Sequence, residues 1–158
     1  MSVRTGNAQP ASEAALATRF RAADESPGLL LWQVTNRWQA AQRAALKPFG
    51  LTHVQFVLLA SLAWLNSDGP ITQRELADHA ATDPMMTSQV LRTLEQRCLV
   101  DRSPHPLDGR AQALTLTRRG RSLVNKAITA VEQCDDDFFR PLGSARAFTR
   151  ALRVLRDR

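Results

Sequence analysis

The stretch that decides the fold is residues 71–117, ITQRELADHAATDPMMTSQVLRTLEQRCLVDRSPHPLDGRAQALTLT. Thr72 with Glu75 matches the S/T-x-x-E capping box, which predicts a short helix at 73–80. Asp83 followed by Pro84 is a typical helix start and predicts a further helix to about residue 97. Two helices joined by a short turn are the helix-turn-helix pattern.

A β-hairpin is predicted directly after this pair of helices. Residues 99–103 form a short strand candidate, and 105–110 read as a loop because they contain Pro106 and Asp108-Gly109. Residues 111–116 alternate in polarity and are typical of the returning strand. A small hairpin that follows a helix-turn-helix is a wing.

The flanking sequence adds two helices on each side. Ser26-Pro27 begins the first helix, which ends before Pro48, and Thr52 caps a second, largely apolar helix at 54–65. After the wing, Thr117 caps a long helix and Ser144 caps a final one. The expected fold is therefore mainly α with a small two-stranded β-hairpin (α+β), as a winged helix-turn-helix.

The domain organisation follows from length and periodicity. A chain of 158 residues is expected to form one domain. Residues 1–25 show little periodicity and are predicted to be a mobile arm, with one short helix at 13–21. Residues 26–158 form the single domain, with the winged helix-turn-helix at about 52–117.

The charge balance favours a polyanionic partner. The net charge is +6 and the pI about 10.9, and almost all cations are Arg, whose forked guanidinium fits phosphates and guanine edges. No apolar run approaches the ~18 residues of a membrane span, and the first 25 residues lack the apolar core of a signal peptide. A cytoplasmic location without membrane association is the expectation.

Several function classes find no support in the sequence. Two cysteines are too few for a disulfide framework, and the three histidines are too widely spaced for a zinc site. There is no nucleophile elbow or phosphate loop, so neither an enzyme nor a cofactor is expected.

The helix that starts at Pro84 carries the candidate base-reading residues. At about 100° per residue, Met86, Val90, Leu91 and Leu94 fall on one side and are expected to pack inward. The other side is polar and suits base edges, since Gln pairs with adenine and Arg with guanine. The predicted DNA contacts, including phosphate contacts from the preceding helix and the wing, are Thr72, Gln73, Met85, Thr87, Ser88, Gln89, Arg92, Gln96, Asp108 and Arg110.

Two interpretations of the wing tip remain open at this point. Arg110 can lie in the narrow minor groove or on the backbone, where negative potential attracts Arg, with Asp108 holding the guanidinium or bracing the turn. Alternatively, the tripeptide at 108–110 is a plain Asp-Gly turn beside a surface Arg.

The sequence resembles a known family at three places. Residues 108–117, DGRAQALTLT, resemble the D-x-R-x-x-x-L-x-L-T wing signature of MarR-type transcriptional regulators. Residues 87–95, TSQVLRTLE, resemble their recognition helix, and Leu51-Thr52-x-x-Gln55-Phe56 resembles the start of their second helix. The resemblance covers roughly residues 26–142.

The resemblance implies a homodimeric regulator of double-stranded DNA. It implies dimerisation helices at about 27–47 and 118–156, and one recognition helix in each half of a pseudo-palindromic operator. It also implies a repressor released by a small aromatic or phenolic effector bound between the dimerisation and DNA-binding parts. Trp38, His53 and Phe56 are the candidate effector-lining residues there, while most aromatic residues of the first two helices are expected to be core.

The sequence departs from the family at one position. The family usually has Gly after the recognition helix, where this chain has Cys98. Cys98 is expected either to form a non-Gly helix end or to be a thiol that senses oxidants. A redox-responsive regulator is therefore an alternative function, and so is a winged-helix interaction module without DNA binding.

Overall fold

The computed structural model describes residues 16–66 and 69–157, which divide into two compact units between Thr35 and Asn36. Three antiparallel strands are described: β1 (Ile71–Thr72), β2 (Val100–Pro104) and β3 (Gln112–Leu116). The helices are α1 (Pro27–Leu46), α2 (His53–Leu65), α3 (Gln73–Ala80), α4 (Pro84–Gln96), α5 (Arg118–Phe139) and α6 (Ala145–Arg156). The mainly α winged helix-turn-helix fold is thus confirmed.

The sheet has one strand more than the predicted hairpin. Its order is β1-β3-β2, with Ile71 opposite Leu114 and Val100 opposite Leu116. The extra strand β1 was missed because two residues are too short to show the alternation that identifies a strand. Ile71 is buried and therefore anchors the start of α3 against the central strand.

The predicted helix starts are confirmed by side-chain caps. The hydroxyls of Thr52, Thr72, Thr117 and Ser144 each accept a hydrogen bond from the backbone N–H three residues later. Asp83 accepts two such bonds at the start of α4. Each cap contributes about 1 kcal/mol, because it satisfies backbone donors that a helix start leaves free.

One apolar core joins helices α2 to α5, the end of α1 and the sheet. Leu59 and Leu62 of α2, Leu76 of α3 and Leu91 of α4 are fully buried, as is Leu114 of the central strand. Helices α2 and α3 pack on the central strand β3, and α4 packs on β2 and on both of these helices, so the core positions the helix-turn-helix.

The chain's N-terminal region differs from its prediction where it is described. The predicted arm at 1–25 lies mostly outside the described residues. Residues 16–22 are not helical, so the helix predicted at 13–21 is wrong over that part. A 3-10 turn follows at Ala23–Glu25 and leads into α1.

The described helices were compared with the requirements of a membrane span. None of them alone is long and apolar enough to cross a bilayer, although α1 with its extension to Phe49 and α2 would pass as a bent pair on length and composition.

Helix α4 ends in a left-handed residue that is not glycine. Cys98 has φ 55°, its N–H donates to the Glu95 carbonyl at 2.8 Å, and the Leu99 N–H donates to the Leu94 carbonyl at 2.9 Å. These two bonds form the Schellman arrangement that usually employs Gly. The predicted non-Gly helix end at Cys98 is therefore confirmed.

We expect Cys98→Gly to stabilise the protein by up to about 1 kcal/mol. Gly removes the clash that a Cβ meets in the left-handed region, although the unfolded chain gains entropy that offsets part of this. Cys98→Ala is the matched control, since it removes the thiol and keeps the Cβ. Urea unfolding of the three proteins would contradict the explanation if both variants shifted the midpoint equally.

Candidate DNA interface and effector region

Helix α3 is held at its start by a reciprocal cap. The Thr72 hydroxyl accepts from the Glu75 N–H, while the Glu75 carboxylate accepts from the Thr72 N–H at 2.8 Å and its hydroxyl at 2.7 Å. These bonds, the backbone one first, lower the pKa of Glu75. The Thr72 hydroxyl is thus committed to the cap, and Gln73 lies half-buried beside it.

The outer face of α4 presents the residues predicted to read bases. Met85 is 83% exposed, Gln89 and Arg92 are exposed, and Ser88 is half-buried. These four side chains, with Met86, border one shallow concavity. Gln96 is exposed one turn beyond Arg92. The structure therefore brings most of the predicted recognition residues onto one accessible surface.

Thr87 does not belong to that surface, which corrects its prediction as a DNA contact. Its side chain is fully buried, and its hydroxyl donates to the Asp83 carbonyl at 2.8 Å and pairs with the Thr82 hydroxyl at 2.8 Å. Met86, predicted to pack inward, is 40% exposed instead. Leu91 and Leu94 are buried as predicted, so only the first turn differs: Thr87 faces inward there instead of Met86, and its hydroxyl is satisfied by bonds to the preceding turn.

The wing tip is braced by Asp108. Its carboxylate accepts from the Arg110 N–H at 3.0 Å, and its carbonyl accepts from the Ala111 N–H at 3.0 Å. The carboxylate therefore supports the turn rather than the guanidinium. Arg110 is exposed and has no ion pair within the described part of the chain.

Strand β2 is tied to the recognition helix by an ion pair between Arg102 and Glu95. Both side chains are partly buried, so the pair is less screened than a fully exposed one. The wing and α4 are thus linked at the end of the helix that lies away from Met85.

Two of the three candidate effector residues lie together. The rings of Trp38 and His53 meet edge to face, with centroids 5.0 Å apart. Burial lowers the pKa of His53; Asp135 opposes this effect and Arg43 adds to it. The neutral imidazole is therefore favoured, and acidification costs folding free energy. Phe56 is instead a buried member of the core.

Sequence reasoning missed the polar residues beside this aromatic pair. Asp135 Oδ1 accepts from Trp38 Nε1 at 2.7 Å and from Gln42 Nε2 at 2.6 Å. Gln42 is fully buried, and no donor among the described residues reaches its Oε1. Its position one turn after Trp38, in an apolar stripe, was a signal that could have identified it. Asp135, within an Asp triplet, gave no such signal.

The two cysteines have different environments. Cys98 is exposed at the end of α4, and Cys134 is half-buried on α5. Burial, followed by the charges of Asp135 and Asp137, raises the pKa of the Cys134 thiol. A raised pKa reduces the thiolate fraction, which is the form that oxidants attack.

Comparisons with known proteins agree with this geometry. Residues 51–111 match the MarR family. The chain is 41% identical over 139 residues to the HTH-type transcriptional regulator YdcH of Bacillus subtilis, covering 87% of this chain and 95% of that protein. It is 40% identical over 114 residues to the repressor Rv2887 of Mycobacterium tuberculosis, covering 72% and 80%.

Solved structures resemble the chain in the same way. The complex of Rv2887 with DNA superposes with a TM-score of 0.64 and 35% identity, covering 82% of this chain and 97% of that one. CouR of Rhodococcus jostii, bound to p-coumaroyl-CoA, has a TM-score of 0.75 and 27% identity, covering 86% and 92%. The exposed α4 face, the wing and these relatives together place the chain in the MarR family of helix-turn-helix transcriptional regulators, which are not enzymes.

Proposed function

We propose that this protein is a homodimeric repressor that binds a pseudo-palindromic operator and is released by a small aromatic or phenolic effector. The observation that carries the DNA-reading part is the accessible face formed by Met85, Ser88, Gln89 and Arg92. Residues 26–158 act as one functional domain in this proposal, with the winged helix-turn-helix at 52–117. Its DNA target implies a cytoplasmic location.

Exposed apolar side chains support the homodimer. The first turns of α1 expose Leu31 and Trp32, and α6 exposes Leu152, Val154 and Leu155. Apolar surface on each of these helices is typical of a protein interface. A two-fold dimer would cover it and present two copies of α4 to half-sites one helical turn apart, about 34–36 Å.

The Trp38–His53 pair and the buried Gln42 support the effector site. Aromatic edges with a few convergent polar groups are the usual lining of a small-molecule pocket. Rhodococcus CouR is bound to p-coumaroyl-CoA, which carries a phenolic group. The aromatic effector class is therefore the one that we propose for this chain.

The test of the proposal begins with the full-length protein and fragments of its own genome. We expect selection of bound fragments to enrich a short inverted repeat. An aromatic acid is expected to release the protein from this DNA. An Arg92→Ala/Arg110→Ala double variant is the control. If wild type enriched no DNA sequence more strongly than this variant does, an interaction module without DNA binding would be the better explanation.

Arg92→Ala is expected to lose about 1–3 kcal/mol of binding on the selected operator and to relax the preference at one base pair. The reason is that a guanidinium on the α4 face can pair bidentately with a guanine. Affinities for operators mutated one base pair at a time measure this. Equal weakening on every sequence would instead make Arg92 a phosphate contact.

Arg110→Ala is expected to weaken binding and to lower the slope of log K against log salt by about one unit. This is the effect of losing one exposed cation that releases a counterion from DNA. The exposed Arg146 on α6 offers a comparison of equal charge outside the proposed DNA surface, and its replacement by Ala should leave the slope unchanged. An unchanged slope and affinity would exclude Arg110 from the interface.

The thiol-based alternative has weaker support in the geometry. The raised pKa of Cys134 makes it a slow target for oxidants. Cys98 ends α4 through its backbone N–H and its left-handed φ, not through its thiol.

A further inference from the structure

A basic groove lies outside the surfaces described so far. Its rim consists of Arg97, Arg118, Arg119 and Lys126, and its floor includes Leu99 and Leu123. We call it the α5 groove, because most of these residues lie on the first turns of α5. Its volume of about 640 Å³ is within the range of small-molecule sites.

The rim of the α5 groove carries positive charge that the protein does not neutralise. No carboxylate in residues 16–66 or 69–157 forms an ion pair with any of its four cations. No acidic side chain lines the groove either. Four cations around one concavity repel each other, and a bound anion would relieve that repulsion.

Arg97 is held in place by neutral partners. Its guanidinium donates to the Gly50 carbonyl at 3.0 Å and to Gln55 Oε1 at 3.3 Å. Gln55 Oε1 is itself fixed by the Thr52 N–H at 3.1 Å. The cation is thus oriented before any ligand arrives, which lowers the entropy cost of binding.

The position of the groove argues against the operator as its occupant. It lies where α4 ends and α5 begins, at the base of the β2–β3 hairpin, while Arg110 is at the tip and Met85 at the other end of α4. Five-residue strands rise about 3.3 Å per residue, so base and tip are roughly 15 Å apart. DNA that contacts the wing tip and the start of α4 therefore does not need to reach the groove.

We infer that the α5 groove binds a small ligand with two or more phosphate groups and a flat aromatic ring, of the nucleoside diphosphate class. The rim cations hold the phosphate oxygens, and the half-buried Phe49 and Leu123 contact the ring. Arg is well suited to this task because its planar fork pairs with two phosphate oxygens at once. This site is separate from the aromatic effector region at Trp38.

The inference is tested by calorimetric titration of the full-length protein with adenosine diphosphate and with inorganic pyrophosphate. We expect Arg119→Gln/Lys126→Gln to bind both about tenfold more weakly than wild type, since each exposed cation contributes several-fold. The control Arg146→Gln/Arg150→Gln removes the same charge from exposed positions on α6 and is expected to bind like wild type. Adenosine diphosphate should bind more tightly than pyrophosphate, because only it reaches the apolar floor.

Three results would overturn the inference. The first is that wild type binds neither probe. The second is that both double variants lose the same probe affinity, which would indicate that net charge alone attracts the probes. The third is a groove variant with unchanged probe binding but weakened operator binding or an altered solution mass, which would assign the groove to DNA backbone or a second copy. Unchanged thermal unfolding verifies folding of the variant, since both replaced side chains are exposed.

Discussion

Gly120→Ala is expected to destabilise the protein by about 3 kcal/mol or more. A Cβ at this position would lie 2.0 Å from the Leu99 carbonyl oxygen and 2.9 Å from its carbonyl carbon. Both atoms belong to the backbone, so no side chain can rotate away, and α5 must move off the end of α4. Overpacking of this kind costs more than the ~1 kcal/mol that Ala gains over Gly in a helix.

The same contact involves two further hydrogen bonds. The Thr117 hydroxyl donates to the Cys98 carbonyl at 2.8 Å, and the Thr117 N–H donates to the Leu99 carbonyl at 3.2 Å. A shift of α5 would strain or break both bonds. We therefore expect Gly120→Ala also to weaken DNA binding, because these contacts connect the end of α4, the base of the wing and the start of α5.

Chemical denaturation of the variant measures the first effect. Gly28→Ala is the control, since nothing lies within 4 Å of its added Cβ near the start of α1, and it should be neutral or slightly stabilising. A Gly120→Ala protein that unfolds within about 1 kcal/mol of wild type would refute the close contact.

Asp135→Ala is expected to cost about 2–4 kcal/mol of folding free energy. The substitution removes the acceptor shared by Trp38 Nε1 and Gln42 Nε2. Gln42 is fully buried and its Oε1 already lacks a described donor, so both ends of its amide would be left without a partner. A buried polar group without a hydrogen bond costs about 1–3 kcal/mol, and two donors are affected here.

Asp136→Ala is the matched control, because it removes a neighbouring, exposed carboxylate and should change stability by less than about 0.5 kcal/mol. Asp135→Asn keeps an acceptor oxygen and is expected to lose less than Asp135→Ala. Denaturant midpoints rank the three variants. Equal effects of the substitutions at 135 and 136 would show that net charge, rather than the hydrogen bonds, matters.

The order of the elements was readable from local signals. The caps at Thr52, Thr72, Asp83, Thr117 and Ser144 lie where the sequence predicts them. Caps depend on a side chain and the next three residues, so their signal is local. Helical periodicity predicted most of the exposed face of α4 for the same reason. The wing signature carried the family resemblance.

The sequence by itself determined the winged helix-turn-helix, its capped helices and most of the α4 face. Only the tertiary structure decided the third strand, the burial of Thr87, the approach of Gly120 to Leu99 and the meeting of Asp135 with Trp38. It also brought Arg97 beside Lys126 to form the α5 groove. The physical reason is distance along the chain: helix caps and periodicity join near neighbours, whereas these contacts join separate elements or depend on how α4 packs against the core.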